Sequence, residues 1–162
     1  MMGLSEFEDE LRSWLSGALR VVVAGIGNPL RKDDYVGVKI VKDLEGKVSE
    51  NVFLIECETV PESFIEPIIQ FKPTHILLID AALLNQKPAA IKFMEPNFAK
   101  AQPISTHALP LQVFCEYLQV MTGAKIKLLA IQPENTDFGE GLTPKIEKTA
   151  KQLADILAES LP

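Results

Sequence analysis

Apolar positions change period along this chain, and the changes mark out its elements. Leu4, Phe7, Leu11, Trp14 and Leu15 recur at helical spacing, Ser5 and Glu8 stand at the separation of a capping box, and Gly17 supplies a stop. An amphipathic helix is therefore expected at about 4–16. Residues 19–26 (LRVVVAGI) are apolar and β-branched without alternation, as in a strand buried on both faces of a parallel sheet. Helical spacing returns with Val38, Val41 and Leu44 up to Gly46, and residues 52–55 (VFLI) read as a second strand. Pro61 suits the first turn of a helix carrying Phe64, Ile65, Ile68 and Ile69, which Pro67 is expected to kink. Residues 74–80 (THILLID) follow as a third buried strand.

Residues 89–94 predict a shorter strand, the one candidate for an antiparallel direction, and the proline-bearing stretch 95–106 predicts a loop. A helix starting at about 108–110 presents Leu111, Phe114, Tyr117, Leu118 and Met121, and residues 125–131 (KIKLLAI) form another strand. Thr143 and Pro144 open a last helix whose apolar positions are Ile146, Ala150, Leu153 and Leu157. Strands alternating with helices predict an α/β three-layer sandwich: a mostly parallel sheet, right-handed crossovers, helices on both faces. With 162 residues and no internal linker, a single domain over 1–162 is expected.

Composition narrows the function. With 47% hydrophobic and 23% charged residues the chain is neither low-complexity nor disordered, and 16 Lys+Arg against 22 Asp+Glu leave −6, no footprint for nucleic acid. No apolar run approaches the roughly 18 residues of a membrane span, and the first six residues lack the order of a secretion signal, so a cytoplasmic protein is expected. Cys57 and Cys115 have no CxxC partner and read as buried thiols rather than a disulfide or a zinc knuckle.

Sites in such folds lie beyond the carboxyl ends of the strands. After the first strand comes GIGNPLRKDDYVG at 25–37. Gly25 and Gly27 have dinucleotide-fingerprint spacing, but Leu30 stands where the third glycine belongs and Pro29 removes an N–H, so nucleotide binding is disfavoured. Asp33 and Asp34 sit side by side at the mouth of a helix. One carboxylate suffices as a cap, which leaves the other for a ligand. Asp80 ends the third strand, where it can either bond the turn at Ala81 and Ala82 or act in a site. His107 enters the fourth helix, whose dipole favours a neutral ring, while His75 looks incidental. A lone histidine is as readily structural. Together, Asp34, Asp80 and His107 make two carboxylates and an imidazole at strand or loop exits, a donor set for a hard-to-borderline divalent metal with open positions. Cys115 lies eight residues past His107, about 12 Å along a helix, too far for a Cys–His pair, and no GxSxG elbow is present.

At these residues the sequence resembles the hydrogenase maturation endopeptidases. Four ordered blocks carry the likeness: GIGNPLRKDDYVG at 25–37, LLIDAA at 77–82, STHALPL at 105–111 and IQPENTDFGEGLTP at 131–144. The resemblance implies a twisted five-stranded sheet between helices. It also implies removal of the C-terminal extension from the large-subunit precursor of a nickel–iron hydrogenase. The family's site acids and histidine fall on Asp34, Asp80 and His107, as metal contacts and as the catalytic set, with Gly25, Gly27, Asn28 and Gly37 shaping the loop around them. Aspartate rather than glutamate at position 34 resembles the subgroup serving formate-hydrogenlyase-type enzymes. In this family nickel arrives with the substrate, so the protein itself is expected to be metal-free. Peptide hydrolysis is then either metal-assisted or of the aspartic type. The competing class is a nickel-binding checkpoint or chaperone that does not cut, although only 2 histidines argue against a dedicated carrier. A small-molecule enzyme sharing only the fold is disfavoured by the four blocks. The opening helix has no counterpart in the family's minimal core.

Overall fold

The computed structural model describes residues 2–96 and 108–162. After α1 (Leu4–Trp14) come β1 (Val21–Ile26), a 3-10 turn (Lys32–Tyr35) and α2 (Val36–Leu44). Next are β2 (Val52–Glu58), a second 3-10 turn (Pro61–Phe64), α3 (Ile65–Phe71) and β3 (His75–Ala81). The chain closes with β4 (Ile91–Met94), α4 (Ala108–Thr122), β5 (Lys125–Ile131) and α5 (Pro144–Ser160). The strands form one five-stranded sheet in the order β2-β1-β3-β5-β4, parallel except for β4, which runs antiparallel to β5. The expected α/β architecture is thus present, and the doubtful strand is the antiparallel one.

Strand alternation divides the interior into two cores. On one face Val21, Val23, Leu77, Ile79, Leu129 and Ile131 pack with α1, α2 and α5. On the other, Val22, Ala24, Ile76, Leu78, Ile126 and Leu128 pack with α3 and α4. β1 and β3 are buried throughout because they are central and covered on both faces, which is why their sequences read as continuous apolar runs.

Three local expectations change. Ser5 does not cap α1: the helix begins at Leu4 with Gly3 as its cap, and Glu8 instead pairs with Arg12 one turn on at 3.0 Å. Pro67 kinks nothing, because the chain breaks at Phe64 and Pro67 falls in the first turn of α3, where its missing N–H has no helical partner to lose. On α4, Leu111, Phe114 and Leu118 are buried, but Tyr117 and Met121 are half exposed.

The opening helix closes the β4 end of the sheet. Phe7 and Trp14 meet Phe93 edge-on at 5.4 and 5.6 Å, and Met2 bridges to Ile91. His75 ties the helix to β3: Nε2 donates to the Trp14 carbonyl at 3.0 Å, and Nδ1 lies 2.9 Å from the Thr74 hydroxyl. The residue that looked incidental is a latch. Both cysteines are buried, as expected, and burial pushes each thiol up to about 12.

Candidate active site

Because β1 connects outward to β2 through α2 while β3 lies on its other side, the carboxyl ends of β1 and β3 flank the point where the winding reverses. In open α/β sheets this is where ligands bind. Asp34 and Asp80 come from the two segments that leave these strands.

Asp34 is placed by close backbone packing. β1 ends in a bulge against β2 between Gly25 and Ile26, and the Gly27 N–H donates to the Glu58 carbonyl at 2.8 Å. Bulges of this kind re-aim the chain beside functional sites. At Gly27, φ is +150° and a Cβ would collide with the Asp34 carbonyl; at Gly37 a Cβ would collide with the Ile79 carbonyl of β3. These glycines let the first turn of α2 sit on the ends of β1 and β3, bringing Asp34 beside the strand end that carries Asp80. Asn28 completes the loop: its N–H donates to Asp34 Oδ2 at 2.9 Å, and its own Oδ1 accepts from the Leu30 N–H at 2.9 Å.

Asp80 is fully buried at the end of β3, and Asp34 is 3% exposed. Asp80 has the parity of Ile76 and Leu78, so its side chain belongs to the sheet face that α3 and α4 cover. His107 lies outside the described residues; α4, the helix that follows it in the chain, packs on that same face. Among the described residues no three of His, Cys, Asp and Glu form a metal-binding group.

Asp33 has a role the sequence did not disclose. It is fully buried and caps neither the 3-10 turn nor α2. Its Oδ2 accepts from the Glu134 and Asn135 N–H groups at 3.0 and 2.9 Å and from the Thr143 hydroxyl at 2.8 Å, while Oδ1 accepts the Thr143 N–H at 2.8 Å. The carboxylate therefore clamps the whole β5–α5 loop. Thr143, expected to open α5, spends its hydroxyl on Asp33 instead of on a cap. Lys32 N–H to the Gly139 carbonyl (3.0 Å), Gly139 N–H to the Leu30 carbonyl (2.8 Å) and Arg31 Nε to the Thr136 carbonyl (3.1 Å) extend the seam. The block at 131–144 is thus the wall that fixes the Asp34 loop.

The hydrogenase maturation protease family matches residues 38–160 of the chain. This chain belongs to that family. A homologue from Methanocaldococcus jannaschii is 34% identical over 153 residues, covering 90% of each chain, and the Escherichia coli hydrogenase 3 maturation protease is 28% identical over 127 residues, covering 78% of this chain and 81% of its own. The crystal structure of the NiFe hydrogenase maturation protease HycI from Thermococcus kodakarensis superposes with a TM-score of 0.88 at 33% identity, over 94% of this chain and 98% of that one. This hydrogenase maturation protease therefore presents two buried aspartates of separate segments at the switch point of its family fold. Among its described residues no helix is long and apolar enough to cross a membrane.

Proposed function

We propose that this protease cuts the C-terminal extension from the large-subunit precursor of a nickel–iron hydrogenase after nickel insertion, with Asp34, Asp80 and His107 meeting the nickel carried by the precursor. The observation that carries the reading is the packing of the Asp34 turn, through Gly27, Gly37 and Asn28, onto the carboxyl ends of β1 and of β3, the strand that carries Asp80. Both carboxylates are buried at the carboxyl end of the sheet, beside the point where its winding reverses and where ligands bind in such folds. Carboxylate oxygens with one imidazole suit a borderline divalent ion while leaving positions for ligands of the substrate itself.

Nickel there would supply a positive charge that polarises a neighbouring peptide carbonyl. The chain's own residues orient the precursor and move the proton. One carboxylate of the pair accepts a proton from the attacking water, whose oxygen bonds to the scissile carbonyl carbon; the C–N bond breaks and the departing amine takes the proton. Neither cysteine serves as nucleophile, since both thiols are buried and pushed up to about 12.

The test mixes the protein with precursor prepared with and without nickel and follows loss of the extension by mass. Cleavage confined to nickel-loaded precursor, abolished in Asp34→Asn, Asp80→Asn and His107→Ala, is the expected result. Equal cleavage of nickel-free precursor would remove nickel from the reading. Capture of the loaded precursor without cleavage would replace the protease by a checkpoint that binds and does not cut.

A further inference from the structure

Helix α4 is apolar around most of its circumference yet lies at the surface. Its inner side carries Leu111, Phe114, Cys115 and Leu118, all buried against the sheet. A second stripe, Val113, Tyr117, Val120 and Met121, repeats at intervals of four, three and one and is 61, 46, 84 and 49% exposed. Gln112, Glu116 and Gln119 form a polar strip between them, and Thr122 turns its hydroxyl back onto the Leu118 carbonyl. A helix apolar on nearly all sides belongs in an interior, so the outer stripe of α4 is a face without a cover among the described residues.

That stripe borders a groove. Val113, Phe114 and Tyr117 of α4 face Ile65 and Glu66 of α3 and Glu62 of the second 3-10 turn across an open hollow of about 780 Å³. The floor is apolar, the bank opposite α4 carries Glu62 and Glu66, and among the described residues no cation lines it. The groove begins at Thr59, just past the carboxyl end of β2, and lies on the sheet face to which Asp80 belongs.

We propose that this groove docks the protein substrate: a segment of the hydrogenase precursor with apolar side chains over the α4 stripe and a lysine or arginine against Glu62 and Glu66. The proposal rests on the function given above. Charge decides the occupant, since a second copy would set this acidic bank near its own like, whereas a basic-flanked segment complements it. Position agrees, because the groove opens at Thr59, past the carboxyl end of β2, and Asp80 stands at the carboxyl end of β3, the same edge of the sheet. Apolar anchors with charged neighbours are the usual composition of an interface centre and rim.

Two variants test it on nickel-loaded precursor: Tyr117→Ser with Val120→Ser, and Glu62→Lys with Glu66→Lys. All four positions lie on the surface or at the groove bank, and thermal unfolding verifies that each variant folds as the wild type does. The expected result is KM and the dissociation constant of capture raised about tenfold, the scale of losing an interface anchor, with kcat at saturating precursor within about twofold. Wild-type capture should weaken as salt rises, and the charge-reversed variant should lose that dependence. Unchanged KM and capture in both variants, with wild type still processing the precursor, overturns the docking groove alone. A concentration-dependent dimer of the wild type that the serine variant abolishes assigns the groove to a second copy and likewise overturns it. Failure of wild type to process or capture any precursor overturns the functional reading beneath.

Discussion

Replacing Asp33 should damage stability and only slow processing, whereas replacing its neighbour Asp34 should abolish processing. In Asp33→Ala the N–H groups of Glu134, Asn135 and Thr143 and the Thr143 hydroxyl lose a buried charged acceptor. Each hydrogen bond to a charged group is worth about 1.5–3 kcal/mol, and an orphaned buried donor costs about 1–3. The losses overlap, and the exposed Glu134 region can regain water, so the expected net loss is about 3–5 kcal/mol. Asp33→Asn keeps one oxygen but turns an amide NH₂ toward donors, and about 2–3 kcal/mol is expected. For a chain of this length 4 kcal/mol corresponds to a fall of about 8–16 °C in Tm. Urea unfolding at pH 7, followed by tryptophan fluorescence from Trp14 and by circular dichroism, measures the effect. A loss below about 1 kcal/mol for Asp33→Ala would show that the β5–α5 loop exchanges this carboxylate for water without cost, and the clamp would be refuted.

Three more outcomes are expected. Gly37→Ala should destabilise by about 3 kcal/mol, the upper end of ordinary overpacking, because its Cβ meets backbone at Ile79 and Ile26 rather than a side chain that can move; a urea midpoint equal to wild type would contradict the packing. Burial lowers the His75 pKa below its usual 6.5, with the Trp14 carbonyl opposing and Lys125 assisting. Below about pH 6.5 the unfolded chain therefore binds a proton that the native ring refuses, so stability present above that pH declines as pH falls toward the depressed native value. His75→Gln should show a shallower decline between pH 7.5 and 5.5 in urea midpoints, and an identical slope would remove His75 from the acid response. With their thiols pushed up to about 12, Cys57 and Cys115 should resist a disulfide reagent at pH 8 in the native protein and react on addition of urea; fast labelling of the folded chain would show them accessible.

The fold was legible because its signals are local. Continuous apolar runs announced β1 and β3, and residues 125–131 bound β5 as the sequence placed it. The misjudged features concern who answers whom. Ser5 and Glu8 have capping-box spacing, but Gly3 starts the helix and Glu8 turns to Arg12. Tyr117 and Met121 fit a helical apolar pattern, yet period alone does not separate an inward stripe from an outward one on a helix apolar nearly all round. His75 looked incidental because its partner, the Trp14 carbonyl, belongs to the backbone and leaves no trace in sequence pattern.

The pair Asp33–Asp34 shows where sequence reasoning stops. Spacing indicated that two adjacent acids were more than a helix mouth needs, and that one would be structural. It could not assign the structural role, because that depends on a loop about a hundred residues away whose backbone N–H groups have no residue identity to read. Once the loop is in place the assignment follows from chemistry: an acceptor meeting three amides and a hydroxyl has its lone pairs occupied, so Asp33 holds the wall. Asp34, three residues before the glycine that packs on the Ile79 carbonyl, is left at the crevice with Asp80. The rigidity of the first aspartate's clamp is what gives the second a fixed position, so variants of Asp33 that still fold should process precursor more slowly even though Asp33 touches no substrate.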